Sequence, residues 1–399
     1  MASGNNRRRR PSGRTVQCPR GYNAHVPAPL PPNIAWDGEL ALALSRADHA
    51  MGRLAAEGRL MPVPHLYIRA FLYKEAELSS RIEGTQVSLG ELLASNAGAK
   101  VEKSSEELQE VENYIVALDY GIDRLETLPL SLRLVREIHE RLMQGARSDH
   151  AKPGEFRRSQ NWIGAPGSVI NNATYIPPPP DELMNCLGEW EQFLHDESLP
   201  PLIHAALMHA QFEAIHPFLD GNGRVGRLLI PLLLIARGVM PTPLLYLSAY
   251  FETSRQEYYT HLLAVTQDGD WESWLVYFLQ GVGEQAEDAI RRIRRIDELF
   301  HLWSDQLAGA RSANLEKVLE LFVEFPFWNV PFLASKLGVA YTTARRAVDR
   351  LESAGIVTPF GAAKRNRVYC ADAVLQVLDA PYIENTDERG TNTTASAQI

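Results

Sequence analysis

A glycine turn wedged between two apolar segments constrains this chain more than any other feature. Residues 216–227 read HPFLDGNGRVGR, and the run that follows, LLIPLLLIA, is apolar enough to demand burial. The turn therefore opens a buried helix, whose free N–H groups and positive dipole end favour an anion, phosphate above all. Gly221-Asn222-Gly223 allows close backbone approach and a concave nest of donors. Arg224 and Arg227 are three residues apart and share a helical face, so that together they could grip two phosphate groups by forked hydrogen bonds. His216 is a candidate proton acceptor and Asp220 a candidate ligand for a hard cation.

The stretch resembles the signature of Fic-domain proteins, H-P-F-x-[D/E]-G-N-G-R-x-x-R, at every fixed position. The resemblance implies transfer of AMP from ATP to a Ser, Thr or Tyr hydroxyl, with release of pyrophosphate. It gives His216 the role of general base and Asp220 that of holding Mg²⁺ across the phosphates. Gly221, Asn222, Gly223, Arg224, Val225, Gly226 and Arg227 then line the ATP site, Arg227 gripping the γ-phosphate, and Phe218 anchors the loop. This chemistry asks mainly for positioning and charge stabilisation, which such a loop can supply.

Upstream, residues 64–84 carry apolar side chains at Ile68, Phe71, Leu72, Leu78 and Ile82 with helical spacing, and Gly84 is a natural stop. Glu83 then stands at the negative end of a helix, where a carboxylate is disfavoured by about 0.3–1 kcal/mol unless a cation faces it. Ser79-Ser80-Arg81-Ile82-Glu83-Gly84 resembles the inhibitory motif of the same family, [S/T]-x-x-x-E-[G/N]. That resemblance pairs Glu83 with Arg227, blocking the γ-phosphate seat, and gives Ser79 and Gly84 as the motif's other fixed positions.

At 399 residues the chain has room for two or three cores. A net charge of −9 argues against general affinity for nucleic acid. Cys18, Cys186 and Cys370 are far apart and suggest neither a disulfide framework nor a zinc site, which fits a reducing, cytoplasmic setting. Pro231 and Arg237 interrupt the longest apolar run, so no membrane span is expected.

The expected fold is mainly α: a helical bundle of the Fic type with a β-hairpin flap, followed by a C-terminal winged helix-turn-helix. Residues 1–32, with Arg7 to Arg10, Arg14 and Arg20 and no acidic group, read as a disordered basic arm. Residues 33–100 form an N-terminal helical region, with helices over 36–58 and 64–84. Residues 101–283 form the catalytic core. Within it, residues 104–147 give two helices and residues 157–180 a hairpin, with strand-prone pieces at Trp162-Ile163 and Tyr175-Ile176. The hairpin resembles the family's flap, whose edge holds a target peptide by strand addition. Helices follow over 181–195 and 201–215. His139, His204 and His209 are read as structural. Pro231 should kink the helix after the signature, and two further helices break at Asp268-Gly269. By resemblance Thr253, Tyr258, Tyr259 and Gln267 wall the adenosine end of ATP, although tyrosines at this spacing also serve packing.

Residues 284–311 read as a charged linking helix or dimer contact, 312–380 as the winged module and 381–399 as a disordered tail. Gly338 between two amphipathic segments is a helix-turn-helix signal. Lys336, Arg345, Arg346, Arg350, Lys364, Arg365 and Arg367 outnumber Asp349, Glu352 and Asp372, a local balance of 7 − 3 = +4 that marks a candidate DNA surface. Protein binding and dimerisation stay open for the same module. The functional expectation is a protein adenylyltransferase acting on a target or on itself and restrained by Glu83. Removal of AMP, or DNA-bound regulation with a nucleotide-sensing Fic domain, are the alternatives.

Overall fold

The computed structural model describes residues 11–60, 65–145, 152–165, 167–308, 312–363 and 365–381. Its elements run β1 (Gly13–Gln17), β2 (Asn23–Pro27), α1 (Gly38–Leu60), α2 (His65–Ile82), α3 (Leu89–Asn96), α4 (Ser105–Leu125), α5 (Leu132–Leu142), α6 (Pro180–Leu194), α7 (Pro201–Ile215) and α8 (Asn222–Ala236). They continue with α9 (Ser248–Thr253), α10 (Arg255–Asp268), α11 (Trp271–Gln306), α12 (Ala313–Glu324), β3 (Phe327–Asn329), α13 (Val330–Leu337), α14 (Tyr341–Ser353), β4 (Thr358–Phe360), β5 (Val368–Cys370) and α15 (Asp372–Asp379). The chain is thus mainly helical, as its periodicity predicts. None of the described helices is long and apolar enough to cross a membrane.

α7 is the axis of the bundle. Nearly all its residues are buried, because α6, α8, α10, α11 and α1 pack around it, the surroundings expected of a helix apolar on every face. Three of its polar members find partners: the His204 Nε2–H donates to the Phe193 carbonyl (2.9 Å), His209 Nε2 meets the Tyr258 hydroxyl (2.8 Å), and Gln211 donates to the Ala28 carbonyl (2.8 Å). Both histidines are structural, as expected. α8 packs on α7 and continues through Pro231.

Three expectations need correction. Residues 13–27 are not a disordered arm but an antiparallel hairpin, Gly13 opposite Pro27 and Gln17 opposite Asn23. Ala24 and Val26 bury one face of it, and the His25 N–H donates to the Ile176 carbonyl (2.9 Å), so tertiary packing outweighs the Pro- and Arg-rich composition. Residues 1–10 and 382–399, assigned to a disordered arm and tail, lie outside the described residues, as does Lys364. No boundary occurs at residue 284: α11 continues from Trp271 to Gln306 because its buried stripe passes through Val282, Ala286, Ala289, Ile290 and Ile293. The expected flap is a loop closed by a single antiparallel bridge, Ile163 with Tyr175, and a short 3₁₀ turn at Ile170–Asn172. Gly164 and Gly167 weaken one arm, and the four prolines from Pro177 leave the other without donors. The sequence reading also passed over α3, whose Ser88 and Glu91 form a reciprocal capping box.

The C-terminal unit has the order helix, strand, helix, helix, strand, strand, with β5 central in the sheet β3-β5-β4. Gly338 (φ 65°) makes the tight turn between α13 and α14. The unit packs firmly on the bundle: α12 and α15 lie against α2, and Arg292 of α11 donates to the carbonyls of Val377, Leu378 and Ala380.

Candidate active site

The loop after α7 is bent into place by its own backbone and fixed from three sides. His216 takes a left-handed conformation (φ 47°, ψ 62°), uncommon for a residue with a side chain and tolerated only where neighbours over-determine it. Here they do. The His216 carbonyl accepts from Arg157 Nε (2.9 Å) and Asn161 Nδ2 (3.1 Å), and the Pro217 carbonyl accepts from the Arg157 N–H (2.9 Å). Asn161 also donates to the Phe218 carbonyl (2.8 Å), while the Asn222 amide closes the loop on itself, accepting from Phe218 N–H (2.7 Å) and donating to its carbonyl (2.9 Å). Phe218 is fully buried and stacks flat on His139 at 3.7 Å, the anchor its type suggests. His139 Nδ1 accepts from the Gly154 N–H (2.9 Å), so its Nε2 carries the proton and donates to the Asp220 carbonyl (3.1 Å). Arg157, Asn161 and His139 are therefore parts of the site that sequence reasoning either missed or read as bundle core.

The His216 Nδ1 lies 3.3 Å from the Glu213 carbonyl. A carbonyl only accepts, so Nδ1 carries the hydrogen and Nε2 keeps its lone pair. Burial, with the nearby Arg157 cation, lowers the imidazole pKa to about 4. His216 is thus neutral at neutral pH, the form a general base requires.

α8 begins at Gly221 (φ 78°) without a side-chain cap, leaving its first N–H groups as donors for a ligand. One helical turn separates the two arginines, both buried. Arg227 is held on one edge: its Nε donates to Ser79 Oγ (2.9 Å) and its Nη2 to the Ser79 carbonyl (2.9 Å) and to Glu83 Oε1 (2.6 Å). Glu83 sits just past the end of α2, and a Cβ on Gly223 would collide with its carboxylate, so the glycine turn is what admits it. Burial pushes the Glu83 carboxyl up, but Arg227, helped by Arg224 and His216, outweighs it and holds the group below its ordinary value. Gly84 (φ 105°) turns the chain away from α2 immediately afterwards. Arg224 is different. Its Nη2 reaches only Met143 Sδ (3.7 Å) and lies 3.9 Å from Asp220, and its Nε and Nη1 are buried with no partner among the described residues. Unpaired buried donors are costly, and an anionic ligand would satisfy them. Val225 and Gly226 complete the turn, with Val225 fully buried.

The Asp220 side chain is about half exposed at the mouth of this nest, its Oδ1 accepting from Gly221 N–H (2.6 Å). Among the described residues no cluster of three or more His, Cys, Asp or Glu could hold a metal by itself. A lone carboxylate beside a phosphate nest does fit Mg²⁺, which takes one or two carboxylates and fills its shell with phosphate oxygens and water.

The four residues assigned to an adenosine wall separate. Tyr258 is buried in an aromatic cluster with Phe251 and Trp274, its hydroxyl taken by His209, and packs rather than lines an opening. Tyr259, 39% exposed, stands on the solvent side within electrostatic reach of Glu83 and Arg227. Thr253 bonds back to the Ala249 carbonyl (2.9 Å), and Gln267 is exposed near the end of α10. The 157–180 loop reaches the site at its root, where the Tyr175 hydroxyl donates to the Ala214 carbonyl (2.8 Å), two residues before His216.

Comparison with known proteins follows the same lines. Residues 129–234 match the model of the Fic/DOC family, and residues 41–123 that of the Fic/DOC family N-terminal region. Over 172 residues the chain is 33% identical to the protein adenylyltransferase Fic of Drosophila grimshawi, a stretch that is 42% of this chain and 32% of that protein. The chain thus spans about a third of the length of the curated relatives it matches. Among solved structures it resembles a Fic family protein from Desulfovibrio desulfuricans, with a TM-score of 0.57 at 19% identity over 86% of this chain and 98% of the other. It also resembles Fic-1 (residues 134–508) from C. elegans, with a TM-score of 0.51 at 25% identity over 64% and 73%.

Proposed function

Because this chain belongs to the Fic/DOC family, carrying both its N-terminal region and its central domain, we propose that it is a protein adenylyltransferase held in check by its own helix α2. The observation that carries this reading is the asymmetry of the two arginines. Arg227 is engaged by Ser79 and Glu83, whereas Arg224, one turn away, has buried donors without partners among the described residues. Such a site can seat the inner phosphates of ATP while the place of the γ-phosphate is filled by a carboxylate.

With Glu83 withdrawn, Arg227 binds the γ-phosphate and the N–H groups of Asn222, Gly223 and Arg224 cradle the others. Asp220 would hold Mg²⁺, which supplies charge neutralisation to the phosphates when bound. His216 Nε2 takes the proton of the attacking hydroxyl. The oxygen forms its bond to the α-phosphorus, and pyrophosphate leaves with the electron pair of the bond that breaks. Arg157, Asn161 and His139 keep the loop from yielding, which matters because misplacement by about 1 Å can cost 10²-fold in rate. The target's backbone lies along the 157–180 loop, whose Tyr175 tie fixes it relative to His216. Self-modification is one form of the same reaction.

Incubation with labelled ATP followed by mass spectrometry tests this reading. Glu83→Gly should acquire AMP, on itself or on a lysate protein; wild type should acquire far less, and His216→Ala in the Glu83→Gly background none. Parallel incubation of wild type with an AMP-modified target separates this from AMP removal. If Glu83→Gly is no more active than wild type, the inhibitory role fails.

The C-terminal unit supports a second reading, as a winged helix. Its element order is that of the motif, and α14 and the β4–β5 turn expose Tyr341, Arg346 and Arg365, with Arg367 half-buried. Arg345 is less available, being paired with Asp349 (2.6 Å) and the Tyr369 hydroxyl (2.7 Å). Salt-resistant, sequence-specific retardation of DNA would support a DNA-bound regulator; purely salt-sensitive retardation would not.

A further inference from the structure

Glu213 is largely enclosed beside the candidate base, and neither the phosphate clamp nor the inhibitory contact uses it. It lies in the last turn of α7, three residues before His216, with its side chain 12% exposed. Its Oε2 is 3.9 Å from His216 Nδ1, and its Oε1 is buried without a hydrogen-bond partner among the described residues. The carboxyl fills the space that a side chain on Gly226 would take: a Cβ there would overlap Oε1. An orphaned carboxyl oxygen in a well-packed region calls for an explanation. The contrast with Glu75 is instructive, since Glu75, fully buried, is bonded to the Ser248 N–H, the Ser248 hydroxyl and the Tyr114 hydroxyl.

We propose that Glu213 is a positioning residue for His216, its carboxyl standing beside imidazole Nδ1 to meet the positive charge that the ring gains when Nε2 takes the proton of the attacking hydroxyl. This rests on the AMP-transfer reading above and adds to it a group that acts through the base. In the resting protein Nδ1–H is bonded to the Glu213 backbone carbonyl, and the side chain of the same residue lies just beyond it. When the hydroxyl O–H bond breaks and Nε2–H forms, the ring becomes a cation shared between both nitrogens. The hydroxyl's electron pair goes to phosphorus and the leaving pair to pyrophosphate, so the only new positive charge is the one facing Glu213. A carboxylate there favours that charge and makes Nε2 the stronger base.

The charge state of Glu213 is set by what packs on it. Burial raises its pKa to about 8; Arg227 from α8 pulls it down, and Glu83 from the end of α2 pushes it up. The Tyr258 hydroxyl from α10 faces it as well, and His216 stands at its own helix end. The sign follows. Glu213 is neutral below this range and ionised above it, so the support it gives His216 grows as pH rises. Withdrawal of Glu83 removes a like charge and moves the onset to lower pH. The residue that blocks the γ-phosphate therefore also weakens the base.

Two measurements on the full chain test this. In the first, His216 ring signals are followed by NMR against pH in wild type, Glu213→Gln and Glu213→Asp, without nucleotide. A step in the His216 shifts centred near pH 8 in wild type, absent in Glu213→Gln and retained in Glu213→Asp, supports the proposal; superimposable titrations in all three overturn it. In the second, the Glu83→Gly background is used and self-modification by ATP is timed. Glu213→Gln should lower kcat on the order of tenfold, a fraction of the 10²–10⁴ that a general base supplies. It should also flatten the rise of kcat with pH and leave KM for ATP unchanged. An unchanged pH profile, or a loss confined to KM, overturns the proposal. If no variant transfers AMP, the adenylyltransferase reading fails instead, and the NMR titration still decides the role of Glu213.

Discussion

The two halves of the phosphate site are one helical turn apart and in opposite states. On the Arg227 side Nε and Nη2 are committed, to the Ser79 hydroxyl, the Ser79 carbonyl and the Glu83 carboxylate. On the Arg224 side two guanidinium nitrogens are buried and have no partner among the described residues, and the nearby Asp220 carboxylate faces solvent. Both halves come from the same sequence, GNGRVGR, so the difference does not lie in the signature. It lies in which distant element reaches each arginine. α2 reaches Arg227 from 144 residues away, while among the described residues no carboxylate comes within hydrogen-bonding distance of Arg224. In the proposed reading a single helix end separates nucleotide binding from productive seating of the triphosphate.

Four experiments probe the difference between the two halves, in falling order of effect. His216 belongs to neither half, so His216→Ala in the Glu83→Gly background should lower AMP transfer by about 10²–10⁴-fold while ATP affinity, read by calorimetry, stays within about twofold of its parent. Loss of affinity on the same scale as activity would place His216 in the clamp. Arg227→Ala removes charge-assisted bonds worth about 1.5–3 kcal/mol, roughly 10–100-fold, and in the Glu83→Gly background the loss should fall on ATP and spare AMP. Equal losses would take Arg227 away from the γ-phosphate. Arg224→Ala should weaken ATP and ADP alike by about tenfold; an effect on ATP alone would merge the halves into one. The smallest expected effect concerns pH. Arg227 holds the Glu83 carboxyl below its ordinary value, so the contact is complete above the free carboxylate range and is lost only as pH falls through the lowered value. The ratio of ATP affinities between Glu83→Gly and wild type should therefore be constant from about pH 8 to about pH 5.5. A ratio that collapses near pH 6 would mean that Glu83 is not held by Arg227.

What could be read from the sequence followed from where the chemistry lies along the chain. The catalytic loop was legible because base, cation ligand, glycine turn and both arginines are contiguous, and an apolar helix follows them directly. Glu83 and Arg227 were paired by resemblance to a known motif; no spacing rule links residues so far apart. The brace formed by Arg157, Asn161 and His139 was not legible, since each comes from a different segment and acts on backbone carbonyls, which leave no trace in side-chain patterns. Glu213 belongs to the same class: FEAIHPF shows a carboxyl near the base, but only packing against Gly226 shows that it is largely enclosed, with one oxygen unpartnered among the described residues. Elsewhere composition misled. The first hairpin is rich in Arg and Pro yet ordered, because Ala24 and Val26 are buried. The capping box at Ser88 was present in the sequence and would have found α3. Strand propensity around Trp162 and Tyr175 overstated the hairpin, where glycine and proline leave one bridge.

The most direct test of the account compares nucleotide affinities of wild type and Glu83→Gly by calorimetry in Mg²⁺. If α2 closes only the Arg227 half, Glu83→Gly should tighten ATP by about tenfold or more, the worth of a charged hydrogen bond, and leave AMP unchanged. Equal tightening of both nucleotides, or none of either, would contradict it.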